Sequence, residues 1–165
     1  MTFGTDGYAL AHGEGEGLWF FNGLFTVKAG GPETRDAFTL IEAHLPNDLQ
    51  VPPHIHERED EGFYVLEGEL TIVCGENTWI AGPGSFALLP RGIPHSFSVT
   101  GDQQARMLQL SSPAQFERFA AEMGEPATEM VIPEPREIDV PKLLNVAPKY
   151  GIQMLPPPVN GRCRR

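Results

Sequence analysis

Two histidines one residue apart, His54 and His56, are followed five positions later by Glu61 and, well downstream, by His95. Imidazole nitrogens and carboxylate oxygens bind divalent transition ions at about 2 Å, so this set suits a metal site if it converges. Residues i and i+2 of a strand share a face, which sends His54 and His56 one way and Ile55 the other. A loop after His56 can swing Glu61 back beside the imidazoles. His95 ends Pro90-Arg91-Gly92-Ile93-Pro94-His95, a rigid turn that delivers a histidine to the start of another strand. A lone HxH pair is often an accident of the surface; the added glutamate and the distant PxGxxH are what point to a site. Glu57, Glu59 and Asp60 crowd the same loop as rivals, but spacing favours Glu61 and the other three read as solvated rim.

Three neutral imidazoles and one carboxylate leave a divalent ion with residual positive charge and room for water or substrate. Such an ion is a Lewis acid that lowers the pKa of a substrate hydroxyl, with Glu61 as the general base that takes the proton. Mixed nitrogen and oxygen ligation accepts manganese, iron, cobalt, nickel, copper or zinc.

The elements that must position these groups are mostly strands. Glu61, Phe63 and Val65 share one face, and beyond a turn at Glu67-Gly68 so do Leu70, Ile72 and Cys74. His95, Phe97 and Val99 alternate with Ser96 and Ser98. In residues 104–110 two inward sets stay open, Met107 with Gln109 or Leu108 with Leu110. The candidate substrate pocket is Phe63, Val65, Leu70, Ile72, Phe97 and Met107.

Upstream, residues 18–21 and 24–29 read as strands joined at Asn22-Gly23, a strong hairpin signal, with Trp19 in the core. A strand over 37–45 places His44 in parity with Phe38 and Leu40, as a satisfied core histidine. Ser112 reads as a helix N-cap, with Pro113 in the first turn and a stripe of Phe116, Phe119, Ala120 and Met123 ending at Gly124. That stripe is read as packing on the barrel. A shorter helix is expected over 141–149. The polar, glycine-rich segment 1–17 holds His12 as a solvated histidine. The organisation is therefore 1–17 flexible segment, 18–111 barrel, 112–155 helical extension and 156–165 tail.

The spacings His54-x-His56-x4-Glu61-x6-Gly68 and Gly84-x5-Pro90-x-Gly92-x2-His95 resemble the two motifs of the cupin superfamily. The resemblance implies an all-β, double-stranded β-helix or jelly roll of six to eight strands, with one or two C-terminal helices packed on it. It implies His54, His56, Glu61 and His95 as metal ligands and Gly68 as a hairpin turn. Two positions depart from the pattern: Asp48 stands where a glycine is expected, and Val99 where an asparagine is expected.

Within the superfamily, the single-domain flavonol-cleaving enzymes look similar through the HxHx4E spacing, Phe63-Tyr64-Val65 and Phe116-Glu117-Arg118-Phe119. That likeness implies a quercetin 2,3-dioxygenase-like reaction, opening of a flavonol ring by dioxygen with release of carbon monoxide, and Glu61 as ligand and base. It also implies a homodimer. A non-oxidative metal-dependent cyclase, isomerase or lyase, or a binding cupin without turnover, is the alternative.

Size and charge bound the partners. One domain suits 165 residues of which 41% are apolar. A net charge of −10 opposes nucleic acid and anionic membranes, leaving a small-molecule substrate. Two cysteines are too few for a disulfide framework. With no apolar run of membrane length and no basic-then-apolar start, a cytoplasmic protein is expected.

Overall fold

Short β-branched and aromatic runs, punctuated by glycine, proline and asparagine turns, fold as two packed antiparallel sheets in the computed structural model, which describes residues 7–156. The strands are β1 (Glu16–Phe20), β2 (Gly23–Ala29), β3 (Thr39–Leu45), β4 (Gln50–His56), β5 (Asp60–Glu67), β6 (Glu69–Cys74), β7 (Asn77–Ala81), β8 (Phe86–Leu89), β9 (His95–Thr100), β10 (Ala105–Ser112), β11 (Glu125–Pro126) and β12 (Ile152–Met154). The helices are α1 (Gly31–Thr34), α2 (Phe116–Met123) and α3 (Val140–Val146), the last continued by a 3-10 turn over Ala147–Tyr150. One sheet runs β11-β1-β2-β3-β10-β5-β8 and the other β12-β4-β9-β6-β7. Strands β3 to β10 supply four to each sheet, the eight-stranded jelly roll; β1, β2, β11 and β12 are additions at its edges.

Two-residue alternation decides what faces inward. Thr39, Ile41, Ala43 and Leu45 are buried from β3, Leu70, Ile72 and Cys74 from β6, and Phe97 and Val99 from β9. Strand β10 buries Met107 and Gln109, which resolves the choice that its sequence leaves open. Each large aliphatic or aromatic side chain so buried contributes roughly 1.5–3 kcal/mol. Gly68 closes the β5–β6 hairpin with φ 73°, and a Cβ there would lie 2.5 Å from the Gln104 carbonyl oxygen. Asp48 adopts φ 63°, the left-handed conformation that explains glycine's usual place there and that aspartate tolerates better than most residues.

Several local expectations are corrected. Phe20 pairs with Gly23, so the first hairpin turns on Phe21-Asn22, one residue earlier than Asn22-Gly23. Gly23 is needed in the strand, where a Cβ would meet the Phe25 ring at 2.9 Å and the His44 carbonyl oxygen at 3.0 Å. Trp19 is half-buried on the outer face, its indole N–H donating to the Val131 carbonyl. His44 lies on the outer face of β3, 3.1 Å from Glu42, because the opposite parity faces the core. Ser112 is the last residue of β10 and the helix starts at Phe116 after Gln115, Ser112-Pro113 being cis. The expected helix 141–149 divides into α3 and the 3-10 turn, and β12 then joins the sheet beside β4. His12 is exposed, as expected; residues 1–6 and all of the tail but Pro156 lie outside the described residues.

The outer face at the β5–β8 edge carries a run of exposed apolar side chains, Tyr64, Phe86, Leu88 and Leu110, in adjacent register. No helix among the described residues is long and apolar enough to cross a membrane.

Candidate metal centre

Both sheets contribute to one buried cluster. His54 and His56 come from β4 and His95 from the start of β9, where it pairs directly with His54; Glu61 comes from β5 in the facing sheet. All four are buried, and one ligand atom from each lies within 4.8 Å of all the others. The turn before His95 is built on Gly92, whose φ of 78° is glycine territory and whose N–H donates to the His56 carbonyl at 2.8 Å. Asp60 fixes the same turn by accepting from the Arg91 backbone at 2.9 Å and pairing with its guanidinium at 2.7 Å.

The rings are oriented by their outer nitrogens. His54 Nδ1 donates to the Pro52 carbonyl at 2.8 Å and His95 Nδ1 to the Ile93 carbonyl at 3.0 Å. His56 Nδ1 donates to the Glu59 carboxylate at 2.7 Å. Each Nε2 is thereby freed to face the centre, the arrangement that histidine ligands usually need. His95 Nε2 lies 3.0 Å and His56 Nε2 3.5 Å from Glu61 Oε2. An ion about 2.1 Å from each ligand holds neighbouring ligand atoms about 3.0–3.4 Å apart, so the donor set fits a divalent transition ion in both type and spacing. Glu61 Oε1 accepts from the Gln109 amide at 2.6 Å, which leaves Oε2 toward the imidazoles.

Electrostatics keeps most of the set in its binding form. Burial pushes the Glu61 carboxyl up, but His56, His95 and His54 outweigh it and hold the group at about 2. Burial and the neighbouring His95 depress His54 to about 4, so it is neutral at neutral pH. For His56, burial acts downward and is overcome by Glu61 and Glu59, leaving it raised. A sign follows for the chelator-treated protein. His54 stays neutral in the fold while its unfolded counterpart protonates below pH 6.5, so its contribution is complete above 6.5 and lost as pH falls to 4. Urea unfolding is expected to show the wild type losing about 3 kcal/mol more than His54→Gln over that interval. Equal losses would contradict the assignment.

The rim reading of the loop holds for exposed Glu57 and half-exposed Asp60 and fails for Glu59, which is fully buried. Its Oε1 takes the His56 bond; its Oε2 lies near Gln115 without a hydrogen-bond partner, while the Gln115 amide is given to the Tyr150 carbonyl. Burial raises this carboxyl, against the pull of His56. The one signal for it in the sequence is the short 57–59 loop, which turns a carboxylate three residues after His56 back under the ring. Glu59→Gln is expected to weaken metal binding about 10–100-fold in a chelator competition, with the fold retained; unchanged affinity would remove Glu59 from the centre.

Above the cluster sits a cavity of about 40 Å³, walled mainly by aromatic and aliphatic side chains. Its polar lining residues are His54, His56, Glu61 and Gln109. Of the six expected pocket residues, Phe63 and Phe97 line it, in edge contact at 5.2 Å. Val65, Leu70, Ile72 and Met107 pack in the core instead, away from this lining. Phe116 and Phe119 of α2 close the cavity, with the Phe116 ring stacked on His56 at 6.1 Å.

The comparisons with known proteins agree with this architecture. Residues 41–111 match the family model described as the cupin domain. With the eight-stranded double sheet around a cluster of three histidines and one glutamate, the match identifies residues 41–111 as a cupin domain. Over a longer span, the chain is 26% identical to quercetin 2,3-dioxygenase of Bacillus subtilis over 151 residues, 91% of this chain and 44% of that one. It is 28% identical to quercetin 2,3-dioxygenase of Aspergillus japonicus over 113 residues, 64% of this chain and 32% of that one. The chain thus spans less than half the length of these relatives. The structure of a predicted oxalate decarboxylase from Thermotoga maritima superposes with TM-score 0.53 at 21% identity, covering 55% of this chain and 80% of that one, and speaks for the fold.

Proposed function

We propose that this cupin is a metal-dependent dioxygenase that oxidises a flavonol or a similar enolisable small molecule. The observation that carries the reading is the convergence of three oriented imidazoles and an ionised glutamate, with His54, His56 and Glu61 opening onto a mainly apolar cavity. The similarity to two quercetin 2,3-dioxygenases supports it. A divalent ion held by His54, His56, His95 and Glu61 would supply Lewis acidity toward an enol oxygen and, if redox-active, a route for dioxygen.

The chain's own residues do the rest. Glu61 Oε2, once detached from the ion, would take the enol proton, and the Gln109 amide on Oε1 keeps the carboxylate at the site when Oε2 lets go. The aromatic walls accept a flat, mostly apolar ligand with its oxygens at one end and keep bulk water away. Two copies pairing through the Tyr64, Phe86, Leu88 and Leu110 strip complete the proposal, because that strip would otherwise stay in water; sedimentation distinguishes monomer from dimer.

The test is oxygen uptake with loss of flavonol absorbance, after loading with each of manganese, iron, cobalt, nickel, copper and zinc. Uptake with at least one redox-active ion is expected. Turnover that proceeds equally without oxygen would favour a cyclase, isomerase or lyase, and binding without turnover a binding cupin.

A further inference from the structure

The inner cavity shares wall residues with grooves on the outside of the molecule, and one of these walls stands out. Phe21, Leu49 and Val51 line the cavity of about 40 Å³ and also line an outer groove of about 380 Å³, whose far side includes Pro135, Ile138 and Val140. These three wall residues are only partly buried, whereas Phe20, Phe25 and Phe63 deeper in the cavity are buried. The inner space admits water-sized molecules, and the outer groove has the volume of a typical ligand site. A ligand with several rings therefore reaches the cluster only if the wall moves.

Phe21 is the residue whose backbone marks this wall. Its φ is 46°, in the left-handed region that bulky residues rarely adopt, and Asn22 beside it has φ 63°. The strain has an identifiable origin: Gly23 is taken up by close approach to β3, so the two-residue turn falls on an aromatic residue. The turn is held from outside, since the Asn22 amide donates to the Arg136 carbonyl and its oxygen accepts from the Arg136 N–H, both at 2.9 Å. Inside, the Phe21 ring leans on Phe20 with centroids 4.3 Å apart. Strained residues held this way cluster at clamps and switches. A second groove borders the cavity at Phe20 and Phe21 itself, and a third at Ile152 and Met154, but the latter two sit in β12, paired with β4 opposite His56 and His54. Moving them would pull on the strand that carries two of the histidines.

We propose that Phe21 is the gate of this cavity: its ring, closing against Leu49 and Val51, sets the size of the flat enolone that passes from the outer groove to the His54, His56, Glu61 and His95 cluster. This rests on the cluster being a metal centre, and not on a flavonol being the substrate.

The experiment uses the zinc-loaded full chain and three chelating enolones of increasing size, 3-hydroxy-4-pyranone, 3-hydroxychromone and 3-hydroxyflavone, with association followed by the absorbance shift on binding. Phe21→Gly is expected to raise the association rate of 3-hydroxyflavone by about tenfold or more and Phe21→Trp to lower it similarly, while 3-hydroxy-4-pyranone stays within about twofold. Leu49→Ala opens the same gap from the other side and is expected to act like Phe21→Gly, which keeps the test intact if a turn variant folds poorly. Rates for 3-hydroxyflavone that do not depend on residue 21 or 49, equal changes for all three ligands, or no binding by any variant would overturn the proposal. A size limit that moves with residue 21, together with no flavonol consumption in air under any metal, would keep the gate and remove the dioxygenase reading.

Discussion

His95→Ala is expected to weaken binding of the divalent ion by about two to three orders of magnitude while the barrel stays folded. A four-ligand site of this kind is worth roughly 10–16 kcal/mol, so losing one ligand in four costs about 3–4 kcal/mol of affinity. His95 is the informative position because it lies farthest along the chain from the other ligands and reaches them only through the β4–β9 pairing and the Gly92 turn. The core that packs Phe63, Ile72, Leu70 and Met107 does not depend on the imidazole, so thermal unfolding of the chelator-treated variant should remain cooperative. Affinity measured against a competing chelator checks the first part and circular dichroism the second. Undiminished affinity would place the ion elsewhere, and an unfolded variant would make any ion structural.

Glu61→Gln has the second large effect. The substitution keeps the shape and an oxygen that the Gln109 amide can still meet, but it removes the negative charge that three histidines surround and, with it, the proton acceptor of the proposed reaction. With the metal at saturating concentration, kcat for the best flavonol is expected to fall about 10²–10⁴-fold, the usual contribution of a positioned general base. Weaker metal binding accompanies it and is separated from it by the saturation. An unchanged kcat at full occupancy would leave Glu61 a ligand without a proton-transfer role.

The parts of this molecule that sequence exposes well are those with a strict period. Alternation places His54 with His56, Glu61 with Phe63, and His95 with Phe97 on inward faces, as the strands carry them. Period alone says nothing about which parity faces the core when both contain apolar residues; for that reason the pattern puts His44 inward, against the structure, and leaves β10 open. Glu59 is hidden for another reason: a charged residue in a loop of charged residues looks solvated until the loop folds under the ring it serves. The wall at Phe21 is least visible, because it depends on Gly23 being needed by a neighbouring strand, a tertiary demand that overrides the local preference for an Asn-Gly turn. The cavity lining drawn from α2 and β12 likewise depends on how the C-terminal extension returns to the barrel.

The most direct measurement is elemental analysis of the chain purified without a metal-binding tag, combined with X-ray absorption at the edge of whatever ion it holds. About one divalent ion per chain is expected, with three imidazoles and at least one carboxylate oxygen as its nearest neighbours, and a lost imidazole in His95→Ala. Protein that takes up no stoichiometric ion after reconstitution, or an ion whose surroundings are the same in wild type and His95→Ala, would contradict that expectation.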